Sequence, residues 1–285
     1  MKLLRVGTAG AERPALLDGD GTLRDLSGVV ADIDGALLAD AAALGRVRAA
    51  ADAGELPALD ADGLRIGPPL GRIGKVVCIG LNFHDHAREA GAEPPAEPVV
   101  FLKAADTVVG PNDTVLVPRG SVKTDWEVEL AVVIGRTARY LETDEDALAH
   151  VAGYTIAHDV SEREFQIERG GTWDKGKNCE TFNPLGPWLV TADEVPDPQD
   201  LSLKLWVNGE LRQDGSTAQQ IFPVAEVVRY VSRFMTLYPG DVINTGTPAG
   251  VAMGQPEPKP YLRSGDVVEL AIEGLGRQRQ QLKEA

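Results

Sequence analysis

The sequence predicts an α+β fold built predominantly from β-sheet, and three observations carry that expectation. Short apolar runs of strand character recur along the chain, helical segments do not follow each of them, and the run KTDWEVELAVVIG at 123–135 is apolar on both faces. A doubly wound sheet or an eightfold βα barrel would need strands and helices in regular alternation. Within the third run, read as a strand, Trp126, Val128, Leu130, Val132 and Ile134 line one side, and Glu127, Glu129, Ala131 and Val133 line the other. Such a strand is covered on both sides, and it aims two carboxylates, roughly 7 Å apart along the backbone, at one partly buried place.

The 285 residues are enough for a sizeable core, and a net charge of −15 opposes nonspecific binding to nucleic acid, which depends on basic groups displacing counterions from phosphates. The two cysteines, Cys78 and Cys179, have no CxxC or zinc-knuckle neighbours, so no disulfide framework is expected. The opening MKLLRVGTAG is too short an apolar run for a secretory core, and no other segment approaches membrane-spanning length. These features together predict a cytoplasmic protein with neither nucleic-acid nor membrane partners.

In chain order, residues 1–70 hold the strand-like runs LLRVG, PALLD and TLRDL, broken by Gly and Asp turns, and then an alanine-rich helical stretch. They are read as a small N-terminal α+β domain. LRIGPPLGRIGK supplies the Pro and Gly punctuation after it, and residues 71–285 form the larger unit. Its expected strands are KVVCIG, PVVFLK, TVLVP, VELAVVIG, GYTIAHDV, PWLVT, LSLKLWVNG and VVELAIEG, with helices at DEDALAHV, SEREFQIERG and AEVVRYVSRFM.

Two neighbouring carboxylates in a low-dielectric site repel and lose hydration, and a divalent cation removes that cost. All-oxygen ligation suits a hard ion, magnesium first, rather than zinc. An isolated ExE is far more often a solvated strand face, although Ala131 and Val133 on the same side weaken that alternative. Asp159, at the end of the strand GYTIAHDV, is a candidate third carboxylate. Ser161 and Glu164 form a capping box that predicts a helix starting there, with Arg163 and Gln166 on one face. In NFHDHAREAG, His86 and Glu89 fall three apart on a short helix ended by Gly91, a spacing that lets the carboxylate fix the imidazole tautomer and raise its basicity. A surface ion pair is the plainer alternative. His84 and His86 also form an HxH, but further histidine ligands and βα alternation are missing for a zinc hydrolase.

Several blocks then agree together. CIGLNFHDHAREAG, FLK, DWEVELAVVIG, HDVSEREFQ, KGKNCETFNPLGPW and PGDVINTGTPAGV occur in this order, and from about residue 70 to the end the chain resembles the fumarylacetoacetate hydrolase family. The resemblance implies a mixed β-sandwich roll, usually a homodimer, with magnesium or manganese held by Glu127, Glu129 and Asp159. It implies further that His86 and Glu89 activate water, that Lys177 stabilises an enolate, and that Lys103, Arg163, Gln166 and Thr247 hold or polarise a small anionic diketo acid. GSVKTDWEVEL, WVNGELRQDGST and GPWLVTADEVPDPQDL are similar to bacterial hydrolases of 2,4-diketo-3-deoxy sugar acids. Departures from the family pattern fall at Phe83, Thr172, Asn178 and Glu180, which bear on substrate range. The implied activity is cleavage of a carbon–carbon bond; a decarboxylase or enol–keto isomerase of the same fold, and a noncatalytic metal-stiffened module, are the alternatives.

Overall fold

The strand Val128–Ile134 runs through the middle of the molecule, buried along its whole length, in a computed structural model that describes residues 1–285. Its two apolar faces enter two different cores. Val128, Leu130, Val132 and Ile134 belong to the larger apolar cluster, whereas Ala131 and Val133 belong to a second one. The two-sided burial read from the alternation is therefore met by packing on both faces.

This strand lies within a mixed sheet whose order is Leu23–Asp25, Arg13–Leu17, Lys2–Val6, Asn183–Thr191, Val151–His158, Val128–Ile134, Val242–Asn244, Val76–Gly80 and Val99–Lys103. Most neighbours are antiparallel, but Val242–Asn244 runs parallel to Val76–Gly80. A second sheet has the order Glu210–Ser216, Ser202–Val207, Val267–Ile272, Gly276–Glu284 and Val115–Val117. Alternating residues of its strands, Leu203, Leu205, Val268, Leu270 and Leu282 among them, close on the larger cluster. The helix Val224–Val231 adds Val224, Val227, Val228 and Val231, the i, i+3, i+4, i+7 stripe of an amphipathic helix. The fold is the expected α+β class, predominantly β.

The first 70 residues add three strands to one edge of the large sheet, where Lys2 and Leu3 pair with Val190 and Leu189. The alanine-rich stretch forms helices Gly35–Ala39 and Ala41–Asp52, separated by Asp40, whose carboxylate accepts from the backbone N–H of Ala42 and Ala43. Leu3, Leu16, Leu26, Ile33 and Val47 share the second apolar cluster with Ala131, Val133, Leu185 and Leu189. No helix is long and apolar enough to cross a membrane.

The expected helix from Ser161 forms differently. Ser161–Glu162 pairs with Thr124–Asp125 as a short strand, and the chain then makes a π-helical turn over Glu164–Glu168. The reason is local competition. The Ser161 hydroxyl donates to the Asp159 carbonyl, while the carboxylate of Glu162 accepts from Phe165 N–H at 2.7 Å and takes the capping role. Arg163 and Gln166 nevertheless meet, with Arg163 donating to Gln166 Oε1 at 3.0 Å.

Candidate active site

Strand register gathers the three carboxylates. Glu129 stands opposite Ala157 in the antiparallel pair, and one step beyond the ladder Asp159 N–H donates to the Glu127 carbonyl at 3.0 Å. With a side-chain period of two, Glu127, Glu129 and Asp159 therefore share a face, and one oxygen from each lies within 4.8 Å of the others. All three are buried. His158 lies between them in register and points to the opposite side, where its Nδ1 meets Gln280 Oε1 at 3.1 Å.

Three cations surround the cluster. Lys177, on the short helix Asp174–Lys177, places Nζ 2.8 Å from Glu127 and 3.0 Å from Asp159. Arg163 lies 2.7 Å from Glu127 and 2.8 Å from Asp125. Lys103 sits behind Asp159, its ammonium donating to that carboxylate and to the carbonyls of Val160 and Phe182, so it is enclosed rather than part of the cleft wall.

Glu129 is the exception. Its one hydrogen bond comes from the backbone N–H of Gly246 at 2.8 Å, and no ammonium or guanidinium reaches it. Burial, reinforced by Asp159 and Glu127, pushes its pKa well above the usual carboxylate range. Burial acts the same way on Glu127, but Lys177 and Arg163 outweigh it and hold that carboxyl below its ordinary value. On Lys177 burial disfavours the ammonium, and Asp159 and Glu127 more than offset it, so its pKa stands above the usual lysine value. With all four ionised, Asp125, Glu127, Glu129 and Asp159 carry one more charge than Lys103, Arg163 and Lys177 balance in this buried site. A hard divalent cation bound by oxygen ligands fits both that excess and the uncompensated Glu129.

The helix His84–Glu89 brings His86 to the same cleft, with His86 Nδ1 3.3 Å from Glu89 Oε2. Glu89 also accepts from Gly250 N–H at 3.0 and 3.1 Å. Gly254 lies so close behind its carboxylate that a Cβ there would run into it. With Nδ1 engaged, Nε2 is the ring nitrogen left for chemistry in the cleft. Thr247 lines the cleft too, but its hydroxyl donates to Val128 O and accepts from Gln213 Nε2.

The cleft measures about 290 Å³ and is bounded by His86, Glu127, Glu129, Arg163, Gln166, Lys177, Gly246 and Thr247 on its polar side. Asp125 was invisible as a site residue in the sequence. It is fully buried, accepts from the N–H groups of Ala252 and Met253, and holds Arg163. The one local signal was an acid next to Trp126 in a buried run. Phe83 belongs to the core, and Asn178 bonds the Leu102 and Asp174 carbonyls, so these two departures lie behind the cleft wall.

Comparison with known proteins identifies the family. The profile for the fumarylacetoacetate (FAA) hydrolase C-terminal family matches residues 75–283. The chain belongs to the fumarylacetoacetate hydrolase family. A Burkholderia ambifaria protein with a provisional hydrolase name is 54% identical over 285 residues, all of both chains. The solved structure of fumarylacetoacetate hydrolase from Exiguobacterium antarcticum is 37% identical, covers 100% of each chain and superposes with a TM-score of 0.86. That of maleylpyruvate hydrolase from Sphingobium sp. SYK-6, in complex with manganese(II) and pyruvate, is 29% identical with a TM-score of 0.81, again over 100% of each chain.

Proposed function

We propose that the protein hydrolyses the C3–C4 bond of a 2,4-diketo acid of the acylpyruvate type, releasing pyruvate and a carboxylic acid. The observation that carries the reading is the convergence of the His86–Glu89 pair and the Glu127, Glu129, Asp159 cluster on one small cleft. The manganese and pyruvate in the maleylpyruvate hydrolase structure support it. In this reading Glu127, Glu129 and Asp159 hold magnesium or manganese, which when bound supplies Lewis-acid stabilisation of negative charge on the substrate's C1 carboxylate and C2 oxygen.

The chain's own groups do the remainder. Glu89, pinned by Gly250 N–H, holds His86 so that Nε2 takes a proton from water. The water oxygen adds to C4, and the C3–C4 bond breaks with its electron pair passing into the C2–C3 enolate of pyruvate. Protonation at C3 completes pyruvate, and the C4 fragment leaves as the carboxylic acid. Lys177, kept cationic by its carboxylate neighbours, offers positive charge where the enolate develops. Arg163, fixed by Asp125 and Glu127, orients Gln166, whose Nε2 remains for a substrate oxygen. Lys103 sets the position of Asp159 from behind, and Thr247 forms wall beside Gly246.

The likeness to sugar-acid hydrolases makes 5-hydroxy-2,4-dioxohexanoate, which would give pyruvate and lactate, the first substrate to assay, and a homodimer the assembly to look for. Loss of the diketo-enol absorbance should accompany pyruvate release, and a chelator should abolish both. His86→Ala should lower turnover by about 10²- to 10⁴-fold while leaving metal binding in place; unchanged turnover would remove His86 from the reaction. A product with an intact carbon skeleton, or carbon dioxide, would instead make the protein an isomerase or a decarboxylase.

A further inference from the structure

About half of the residues lining the cleft are hydrophobic, and the two kinds meet where Lys177 Nζ stands 5.1 Å from the centroid of the Phe101 ring. The polar lining comprises Glu127, Glu129, His86 and Lys177 with Arg163, Gln166 and Thr247, and the larger apolar side chains are Ile79, Leu81, Phe101, Ile167, Trp173 and Met253. Phe101 and Trp173 meet edge to face with centroids 5.2 Å apart. Trp173 lies against Gly80, where a Cβ would run into the indole, so strand and aromatic pair form one rigid wall.

The polar side chains facing the cleft have little capacity to spare. The guanidinium of Arg163 bonds Asp125 through Nε and Gln166 through Nη1, and its Nη2 is ion-paired with Glu127 without making an aligned hydrogen bond. The hydroxyl of Thr247 is taken by Val128 O and Gln213, and the ammonium of Lys177 by Glu127 and Asp159. Gln166 Nε2 and Arg163 Nη2, side by side next to the carboxylate cluster, are the remaining side-chain donors outside the reacting groups. A hydroxylated chain entering this wall would lose its water without gaining partners.

Resting on the diketo-acid reading above, the geometry points to a short, apolar acyl group as the part of the substrate beyond C4, in preference to the hydroxylated chain of a sugar acid. Ile167, Trp173 and Phe101 set that preference. An apolar pocket rejects an isostere bearing a hydroxyl in place of a methyl by about 10- to 100-fold.

The test compares two acids that differ only there: 5-methyl-2,4-dioxohexanoate and either enantiomer of 5-hydroxy-2,4-dioxohexanoate, assayed for pyruvate release with magnesium. The methyl acid should have a kcat/KM at least about 10-fold higher. Ile167→Gln, at a half-exposed position that folding does not depend on, should bring the ratio toward unity. A wild-type ratio at or below one overturns the inference. If neither acid releases pyruvate, calorimetric titration of both into magnesium-loaded protein separates the two claims. Tighter binding of the methyl acid by a similar factor upholds the apolar wall while the hydrolase reading falls, and equal binding, or none, overturns both.

Discussion

Glu129 separates a cation site from an ordinary ion-pair network. Its neighbours Glu127 and Asp159 each have ammonium or guanidinium partners, and Glu129 has one backbone N–H. In metal-free protein Glu129→Gln should therefore stabilise the fold, by about 1–2 kcal/mol, because an amide keeps the Gly246 bond and removes the repulsion. The same substitution should erase the rise in Tm that magnesium or manganese gives the wild type, and thermal denaturation with and without metal reads both effects. The triad was legible in sequence because strand alternation is local: ExE and an Asp at a strand end need no knowledge of distant residues. Asp125, Glu162 and Gln213 were not, because their partners lie 38, 39 and 85 positions away.

At the scale of elements, the active geometry depends on the helix His84–Glu89 docking against the loop 246–254. Glu89 makes that joint, bonding Gly250 on one side and His86 on the other. Gly254→Ala would push a methyl into the Glu89 carboxylate. It should cut turnover by an order of magnitude or more while the metal-induced shift in Tm stays within error of wild type. The i, i+3 relation of His86 and Glu89 was readable from the helix period alone. The capping box at Ser161 misled because a tertiary strand pair, Ser161–Glu162 with Thr124–Asp125, claimed the residues that local preference assigned to a helix start.

Across the whole molecule, the N-terminal strands extend the large sheet, and the helices and loops that follow them cover Ala131 and Val133, the apolar part of the face that also carries Glu127 and Glu129. The strand-like runs of residues 1–70 were visible in the sequence, but their pairing with Asn183–Thr191 joins residues about 190 apart and has no local signal. Removing residues 1–70 would bare Ala131, Val133, Leu185 and Leu189 and the edge of Asn183–Thr191. The truncated chain should be recovered insoluble or with a far lower Tm, and a well-folded, soluble 71–285 fragment would show that this packing contributes little. The chain is acidic as a whole, and the cations beside the cleft, Lys177 and Arg163, are themselves paired with its carboxylates, so an anionic acid is better held once a divalent cation has added positive charge there.

The central claim is that Glu127, Glu129 and Asp159 together hold one divalent cation in the cleft. Calorimetric titration of manganese into the metal-free protein, alongside Asp159→Asn, tests it most directly. One ion per chain for the wild type, with binding lost or weakened at least about 100-fold in the variant, is the predicted result. No saturable binding, or the same affinity in Asp159→Asn, would contradict the account.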